Sequence, residues 1–306
     1  MNVTLGIIGY GEVGGIFSRG LVGKAGIEAI HVWDIRLEEG PAADGDAMRS
    51  RAQVDGVHVA ASHAELCKAC NVLISAVTAS NTLAVAEETA RHVRPGTRFL
   101  DLNSASPGTK QRAAAVLEAA GCSYVEAGVM TSVPPYGICV PMLLGGLKAN
   151  ELAQTLADWG MDARVVSDRL GVASAIKMSR SIMIKGLEAL VIESYATARH
   201  YGVEEHVLPT LAETFPQIDW ERQGAYFFSR VVQHGKRRAE EMREAAQTVR
   251  EGGFDPLMAS ATAHKQAWVS QLAQAGVFDG VGKDARWQDY ADRLLEQIRK
   301  ETDGSA

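Results

Sequence analysis

Lys177 lies in a proline-free stretch, residues 171–200, that keeps helical periodicity throughout. At 100° per residue, Ser174, Lys177, Ser181, Lys185 and Glu188 fall within about 80° of one another and form one polar stripe. Ile176, Met178, Ile182, Met183, Ile184, Leu187, Leu190 and Val191 cover nearly every other direction. A helix of that pattern is expected to be mostly buried, with its polar stripe facing a cleft. A lysine removed from water has its charged form disfavoured. A neutral amine can then take the hydroxyl proton that must leave when a hydride departs from an alcohol carbon. In the reverse direction the ammonium protonates a carbonyl oxygen. Glu188, on the same stripe, opposes the lowered pKa that this requires.

A hydride needs an acceptor, and the N-terminus carries the pattern that binds one. Gly9-Tyr10-Gly11-Glu12-Val13-Gly14 reads G-x-G-x-x-G between an apolar run, Leu5–Ile8, and a helical pattern. Gly9 permits a tight turn, Gly11 lets the backbone approach a pyrophosphate, and Gly14 allows close helix–strand packing. The free N–H groups and positive dipole end of the helix favour phosphate. Asp34 follows 20 residues after Gly14, at the end of a second strand-like run. Its carboxylate suits a ribose diol and repels a 2′-phosphate, which favours NAD over NADP. Arg36 works the other way, since it can pair with that phosphate. Val77, Thr78 and Asn103 end later strand-like runs and are expected at the cofactor, because ligands of open α/β sheets bind at the carboxyl ends of strands. Ser104 is a candidate for the substrate, and Ser106 before Pro107 reads as a helix cap.

The elements that must hold these residues alternate. Strands are expected at 4–9, 29–34, 57–60, 71–77, 98–103 and 123–129, with further candidates at 140–144 and 163–166. Helices are expected at 81–93, 107–120 and 148–159. Such alternation implies a mostly parallel, doubly wound sheet, the α/β Rossmann class. Beyond Ser167 only helical patterns follow, at 171–200, 204–214, 225–251, 258–275 and 285–302. The expected organisation is a dinucleotide-binding domain, 1–167, and an all-α domain, 168–306, opened by a long interdomain helix. Residues 302–306 are expected to fray.

Composition excludes other classes. The 306 residues are 46% hydrophobic and 22% charged with a net charge of −6, which suits a soluble protein and not a nucleic-acid binder. No uninterrupted apolar run reaches the roughly 18 residues of a membrane span. With no basic stretch before the first strand, a secretory signal is not expected and the chain reads as cytoplasmic. Cys67 and Cys70 form a lone C-x-x-C and read as reduced structural thiols. No spacing of His, Cys, Asp or Glu suggests a metal site. His234 and His264, on later helical patterns, are weaker candidates for the site.

Three segments together resemble the β-hydroxyacid dehydrogenase superfamily, which includes 6-phosphogluconate dehydrogenase. They are Gly9–Gly14, Asp101-Leu102-Asn103-Ser104-Ala105-Ser106-Pro107 (similar to D-x-S-[ST]-x-x-P) and Gly171-Val172-Ala173-Ser174-Ala175-Ile176-Lys177 (similar to G-x-G-x-x-x-K). The resemblance implies that Lys177 is the catalytic lysine and that the helical domain forms a homodimer. It departs at the substrate positions. Arg180 and Ser181 stand where the family has two asparagines, and Met130-Thr131-Ser132 stand where it has S-G-G. The family's later K-D-L segment aligns loosely with Glu240-Glu241-Met242. Lys185-Gly186-Leu187-Glu188 and Arg237-Arg238-Ala239-Glu240-Glu241-Met242 resemble a branch with an uncharacterised C-terminal domain. Thr131, Ser132, Arg180 and Ser181 are therefore the substrate-contact candidates, with Arg180 suited to a carboxylate or phosphate. The expected activity is NAD(P)-dependent hydride transfer to or from a small hydroxy acid or related alcohol. Imine reduction on the same fold and a non-catalytic cofactor-binding role are the alternatives.

Overall fold

The computed structural model describes residues 2–39, 41–282 and 284–303. Its chain divides into two compact units, 1–179 and 180–306.

In the first unit, eight strands form one sheet: β1 (Val3–Ile8), β2 (Ile27–Trp33), β3 (His58–Val59), β4 (Val72–Ser75), β5 (Arg98–Asp101), β6 (Ser123–Val129), β7 (Met142–Gly145) and β8 (Ala163–Ser167). Their order is β3-β2-β1-β4-β5-β6-β7-β8, and every pair is parallel except β6–β7. This is the expected α/β Rossmann class. The helices α1 (Glu12–Leu21), α2 (Ala42–Asp55), α3 (His63–Ala69), α4 (Thr82–Ala90), α5 (Pro107–Ala119) and α6 (Ala149–Asp158) lie between the strands in sequence.

Strands covered on both sides have no polar face, so their residues divide between two cores by the two-residue repeat. Val72 and Ile74 of β4 and Leu100 of β5 join one apolar cluster, with Leu5, Ile7 and Val32. Leu73 and Phe99 join the other, with Ile8 and Tyr124. Cys67 and Cys70 are wholly buried in that second cluster. Burial pushes both thiols up to about 12, so neither supplies thiolate at neutral pH.

The chain order reverses between β1 and β4. There the loops after the strands diverge, and the carboxyl ends of β1, β4 and β5 come side by side.

The helix α7 (Val172–Tyr201) begins in the first unit and ends in the second. The second unit continues with α8 (Glu204–Thr214), α9 (Trp220–Glu251), α10 (Leu257–Gln274) and α11 (Trp287–Asp303). The Asp219 side chain accepts from Arg222 N (3.0 Å), so α9 starts five residues before the expected 225. Tyr195, Phe228, Val231, Trp287, Ala291 and Leu294 form its core. Of residues 302–306, expected to fray, 302 and 303 instead belong to α11, and 304–306 lie outside the described residues.

One expectation fails on α7. Of the eight apolar residues expected to cover its other directions, Met178 and Val191 are buried and Ile182 and Leu187 half-buried, but Ile176, Ile184, Leu190 and Met183 are exposed, Met183 at 73%. The polar stripe is the buried side instead: Ser174, Ser181, Lys185 and Glu188 are each less than a tenth exposed. Side-chain pairing explains the inversion. Lys185 pairs with Glu241, and Glu188 takes the guanidinium of Arg238 and an amide hydrogen of Gln266 (3.2 Å). Burial pulls the Lys185 ammonium down and pushes the Glu188 carboxyl up, and these partners oppose both shifts. A helical wheel holds no record of partners on α9 and α10.

Candidate active site

The glycine-rich turn is built as its spacing predicts. Gly9 has φ +91°, and a Cβ there would lie 2.6 Å from Ala76 O at the end of β4. A Cβ on Gly14 would lie 1.9 Å from Gly9 O, so only glycine lets α1 start against the turn. Gly11 is different. A Cβ there would meet only Arg36 Nη2, at 3.8 Å. The chain itself leaves that side of the loop open, and the first turn of α1 has no side-chain cap. A backbone surface that needs no side chain, followed by uncapped N–H groups, fits a dinucleotide phosphate.

Asp34 sits at the end of β2, only 7% exposed. Its Oδ2 accepts from Tyr10 N (2.9 Å) and its Oδ1 from Arg36 N (3.1 Å). Arg36 closes a fork on the same carboxylate through Nε (3.0 Å) and Nη2 (3.2 Å). The Arg36 side chain is 48% exposed, whereas the carboxylate that it pairs with is buried. The Tyr10 side chain turns away from the loop surface. It is buried, its hydroxyl donates to Asp55, and the Arg51 guanidinium lies 4.0 Å from its ring centroid. The Tyr10 backbone is engaged as well, since its carbonyl accepts from Arg51 and its N–H goes to Asp34. Glu12 is exposed in the first turn of α1, and Val13 is half-buried.

At the next strand ends, Asn103 Oδ1 accepts from Val77 N (2.7 Å), and Asn103 Nδ2 donates to Ser75 Oγ (2.9 Å). Asn103 is therefore a brace between the ends of β4 and β5, and both of its amide atoms are engaged. Thr78 is exposed beside it. Ser104 is half-buried and meets the residue that the helical stripe singled out: Lys177 Nζ donates to Ser104 Oγ at 2.5 Å. Residues 73 positions apart, both candidates from sequence, are thus in contact.

Ser106 caps α5, accepting from Thr109 N (3.3 Å). Thr131 and Ser132 lie on the loop after β6, exposed and half-buried respectively. Arg180 and Ser181 follow Lys177 by about one turn of α7, Arg180 exposed and Ser181 buried. His234 is half-buried on α9, and His264 is exposed on α10. Among the described residues no group of three or more His, Cys, Asp or Glu is placed to hold a metal. None of the helices there is long and apolar enough to cross a membrane.

Sequence reasoning did not single out the group beneath this site. Asp101 at the end of β5 is a hub. Its Oδ1 lies 2.8 Å from Lys110 Nζ and accepts from Asn103 N (2.8 Å), and its Oδ2 accepts from Tyr124 OH (2.6 Å). Lys110 also donates to Asp101 O (3.0 Å) and is wholly buried. Burial, reinforced by Asp101, pushes the Tyr124 phenol well above its ordinary value, so it remains a donor. Lys110 looks like any helix-surface lysine in sequence, and nothing local marks it as interior.

Two family models match the chain. The NAD binding domain of 6-phosphogluconate dehydrogenase matches residues 4–135, and a domain of unknown function, DUF1932, matches residues 198–269. A solved structure of a conserved hypothetical protein from Sinorhizobium meliloti 1021 is 36% identical, with 97% of each chain covered and a TM-score of 0.75. The chain belongs to the 6-phosphogluconate dehydrogenase-like family with a DUF1932 C-terminal domain. A second structure, of a conserved protein described as structurally similar to 3-hydroxyacid dehydrogenases, is 30% identical over 89% of this chain and 98% of that one, with a TM-score of 0.67. A 28.5 kDa protein of Methanothermus fervidus is 26% identical over 85% of this chain and 96% of its own length. At lower identity the fold alone is shared. A 3-hydroxyisobutyrate dehydrogenase from Salmonella typhimurium is 18% identical (TM-score 0.65; 96% of this chain, 100% of that one). A reductive aminase from Aspergillus terreus, in complex with NADPH and ethyl levulinate, is 19% identical (TM-score 0.56; 97% and 99%). The first unit thus contains an NAD-binding domain, over residues 4–135.

The Asp101 hub predicts a stability effect. Lys110→Met removes the buried cation and leaves the Asp101 carboxyl without its ion pair. It is expected to cost about 3–5 kcal/mol, the usual penalty for breaking a buried ion pair. Urea denaturation of the wild type and the variant measures the difference.

Proposed function

We propose that this protein is a dehydrogenase of small hydroxy acids or related alcohols, with Lys177 as its general acid and base. The observation that carries the reading is the Lys177 Nζ–Ser104 Oγ contact of 2.5 Å, at the strand end next to the Asn103 brace. A nicotinamide cofactor bound along the Gly9–Gly14 loop supplies the hydride acceptor or donor. Lys177 handles the proton. As a neutral amine beside Ser104 it takes the proton of the substrate hydroxyl when the hydride leaves. In the reverse direction its ammonium returns the proton to the carbonyl oxygen. Arg180 and Ser181, about a turn further along α7, and Thr131 and Ser132, after β6, are the substrate contacts of this reading. Arg180 would hold an anionic group.

NAD is the proposed cofactor. The buried Asp34 carboxylate opposes a phosphate, and Arg36, the nearby cation, is already engaged by it. A homodimer is proposed as well. On α7, Ile176, Met183 and Leu190 recur every seven residues on the exposed side, a stripe suited to a second copy of the helix. A small-molecule substrate, with no nucleic acid or membrane, completes the reading, and the cytoplasm is its proposed compartment.

Three measurements test these statements. NAD-linked turnover on a panel of hydroxy acids and neutral alcohols is expected in the wild type. In Lys177→Ala, kcat is expected to fall by about 10²- to 10⁴-fold with NADH affinity nearly unchanged. Full turnover in the variant, or reduction of cyclic imines with no alcohol oxidised, overturns the assignment. Fluorescence titration is expected to show NADH bound more tightly than NADPH. Asp34→Ser, which frees Arg36, is expected to move that preference about tenfold or more towards NADPH, or about 1.4 kcal/mol. Light scattering is expected to give twice the chain mass, and a monomer contradicts the dimer.

A further inference from the structure

Lys177 reaches Ser104 only if the start of α7 is held at one height and rotation above the sheet. The residues that hold it are on β6. Glu126 is wholly buried there. Its Oε1 accepts from Gly171 N (2.7 Å) and Ala173 N (3.1 Å), and its Oε2 from Ser174 Oγ (2.7 Å). A carboxylate at this position satisfies N–H groups that the first turn of a helix leaves over, and it complements the positive end of the helix. This cap comes from a strand 45 residues earlier in the chain, so it ties the helix to the sheet as well as ending it.

Two glycines make room for this arrangement. Gly145 is paired with Glu126 across β6 and β7, and a Cβ there would lie 2.6 Å from Glu126 Oε1. Gly128, two residues along β6, faces the helix itself. A Cβ there would meet Ala173 O at 3.0 Å and Lys177 Cβ at 3.5 Å. The carboxylate draws the helix end onto β6, and Gly128 sets how close it comes. Ser104, the other half of the contact, is placed by the strand next door, where Asp101 is the register partner of Glu126.

We propose that Glu126 is the positioning residue of the Lys177–Ser104 pair, with Gly128 setting the separation between helix and strand. The role deepens the reading of Lys177 given above and rests on it. Glu126 bonds to Gly171, Ala173 and Ser174 at the start of α7. It acts through the first turn of α7, where misplacement by about 1 Å is enough to cost about 10²-fold in rate.

The test reads Lys177 itself as well as turnover. Acetic anhydride is applied at a series of pH values to folded wild type, Glu126→Gln and Gly128→Ala. Acetylation at Lys177 and at exposed Lys148 is then quantified by peptide mass spectrometry. Both substitutions are expected to shift the pH profile of Lys177 acetylation and to leave that of Lys148 unchanged. kcat is expected to fall by about 10- to 100-fold in both, with NADH affinity within about two-fold of wild type. If Glu126→Gln does not fold, Ser174→Ala takes its place, because it removes one hydrogen bond and leaves the buried carboxylate its backbone donors. An unchanged Lys177 profile in folded variants overturns the positioning role. If Lys177→Ala abolishes turnover in the same assays, the reaction assigned to Lys177 stands even so. A shifted profile in a protein that oxidises no alcohol has the opposite meaning: the positioning role stands and the reaction assignment falls.

Discussion

Two carboxylates buried side by side at the carboxyl edge of the sheet are the constraint on which the site depends. Asp101 and Glu126 are register partners on β5 and β6, and each is at most 1% exposed. Neither is left as a bare charge. Asp101 is met by Lys110, Tyr124 OH and the Asn103 backbone, and Glu126 by two backbone N–H groups and Ser174. A buried carboxylate with fewer partners would be protonated or expelled. Satisfied in this way, each becomes a rigid fixing point. One holds the loop that presents Asn103 and Ser104, and the other holds the helix that presents Lys177. The adjacent strands thereby set the distance between two side chains that the chain separates by 73 positions.

The glycines serve the same end through absence of bulk. Gly9 and Gly14 bring the first turn against β4 and α1, while Gly128 and Gly145 bring α7 and the Glu126 carboxylate against the far half of the sheet. Gly11 differs from these four, because the chain itself places nothing close to its missing side chain. That contrast separates a glycine kept for packing from one that fits a phosphate.

The helix α7 changes role along its length. Its first turns carry Lys177 to Ser104. Its later turns carry Lys185 and Glu188 into buried pairs with Glu241 and Arg238, which consume the charges of the polar stripe. Glu188 therefore has a cation of its own. Ile176, Met183 and Leu190 are left exposed along α7, and that exposure is the physical basis for reading this side of the helix as a contact between copies.

Much of this was legible in the residues themselves. Hydrophobic periodicity reports local geometry, so all eight strands and the long helices fall where alternation and helical repeats place them. The G-x-G-x-x-G turn with Asp34 is a local motif, and Lys177 stands out because a lysine on a largely apolar helix is unusual. What sequence could not carry was pairing across distance. Which face of α7 is buried depends on cations and carboxylates supplied by other helices. Lys110 and Glu126 look like ordinary helix and strand residues until the sheet places one under Asp101 and the other under Gly171. The sequence alone determined the elements and the chemistry available to them, because those depend on neighbours along the chain. Only the tertiary structure decided which charges are satisfied, which face is covered and which serine meets Lys177, because those depend on residues brought together by the sheet.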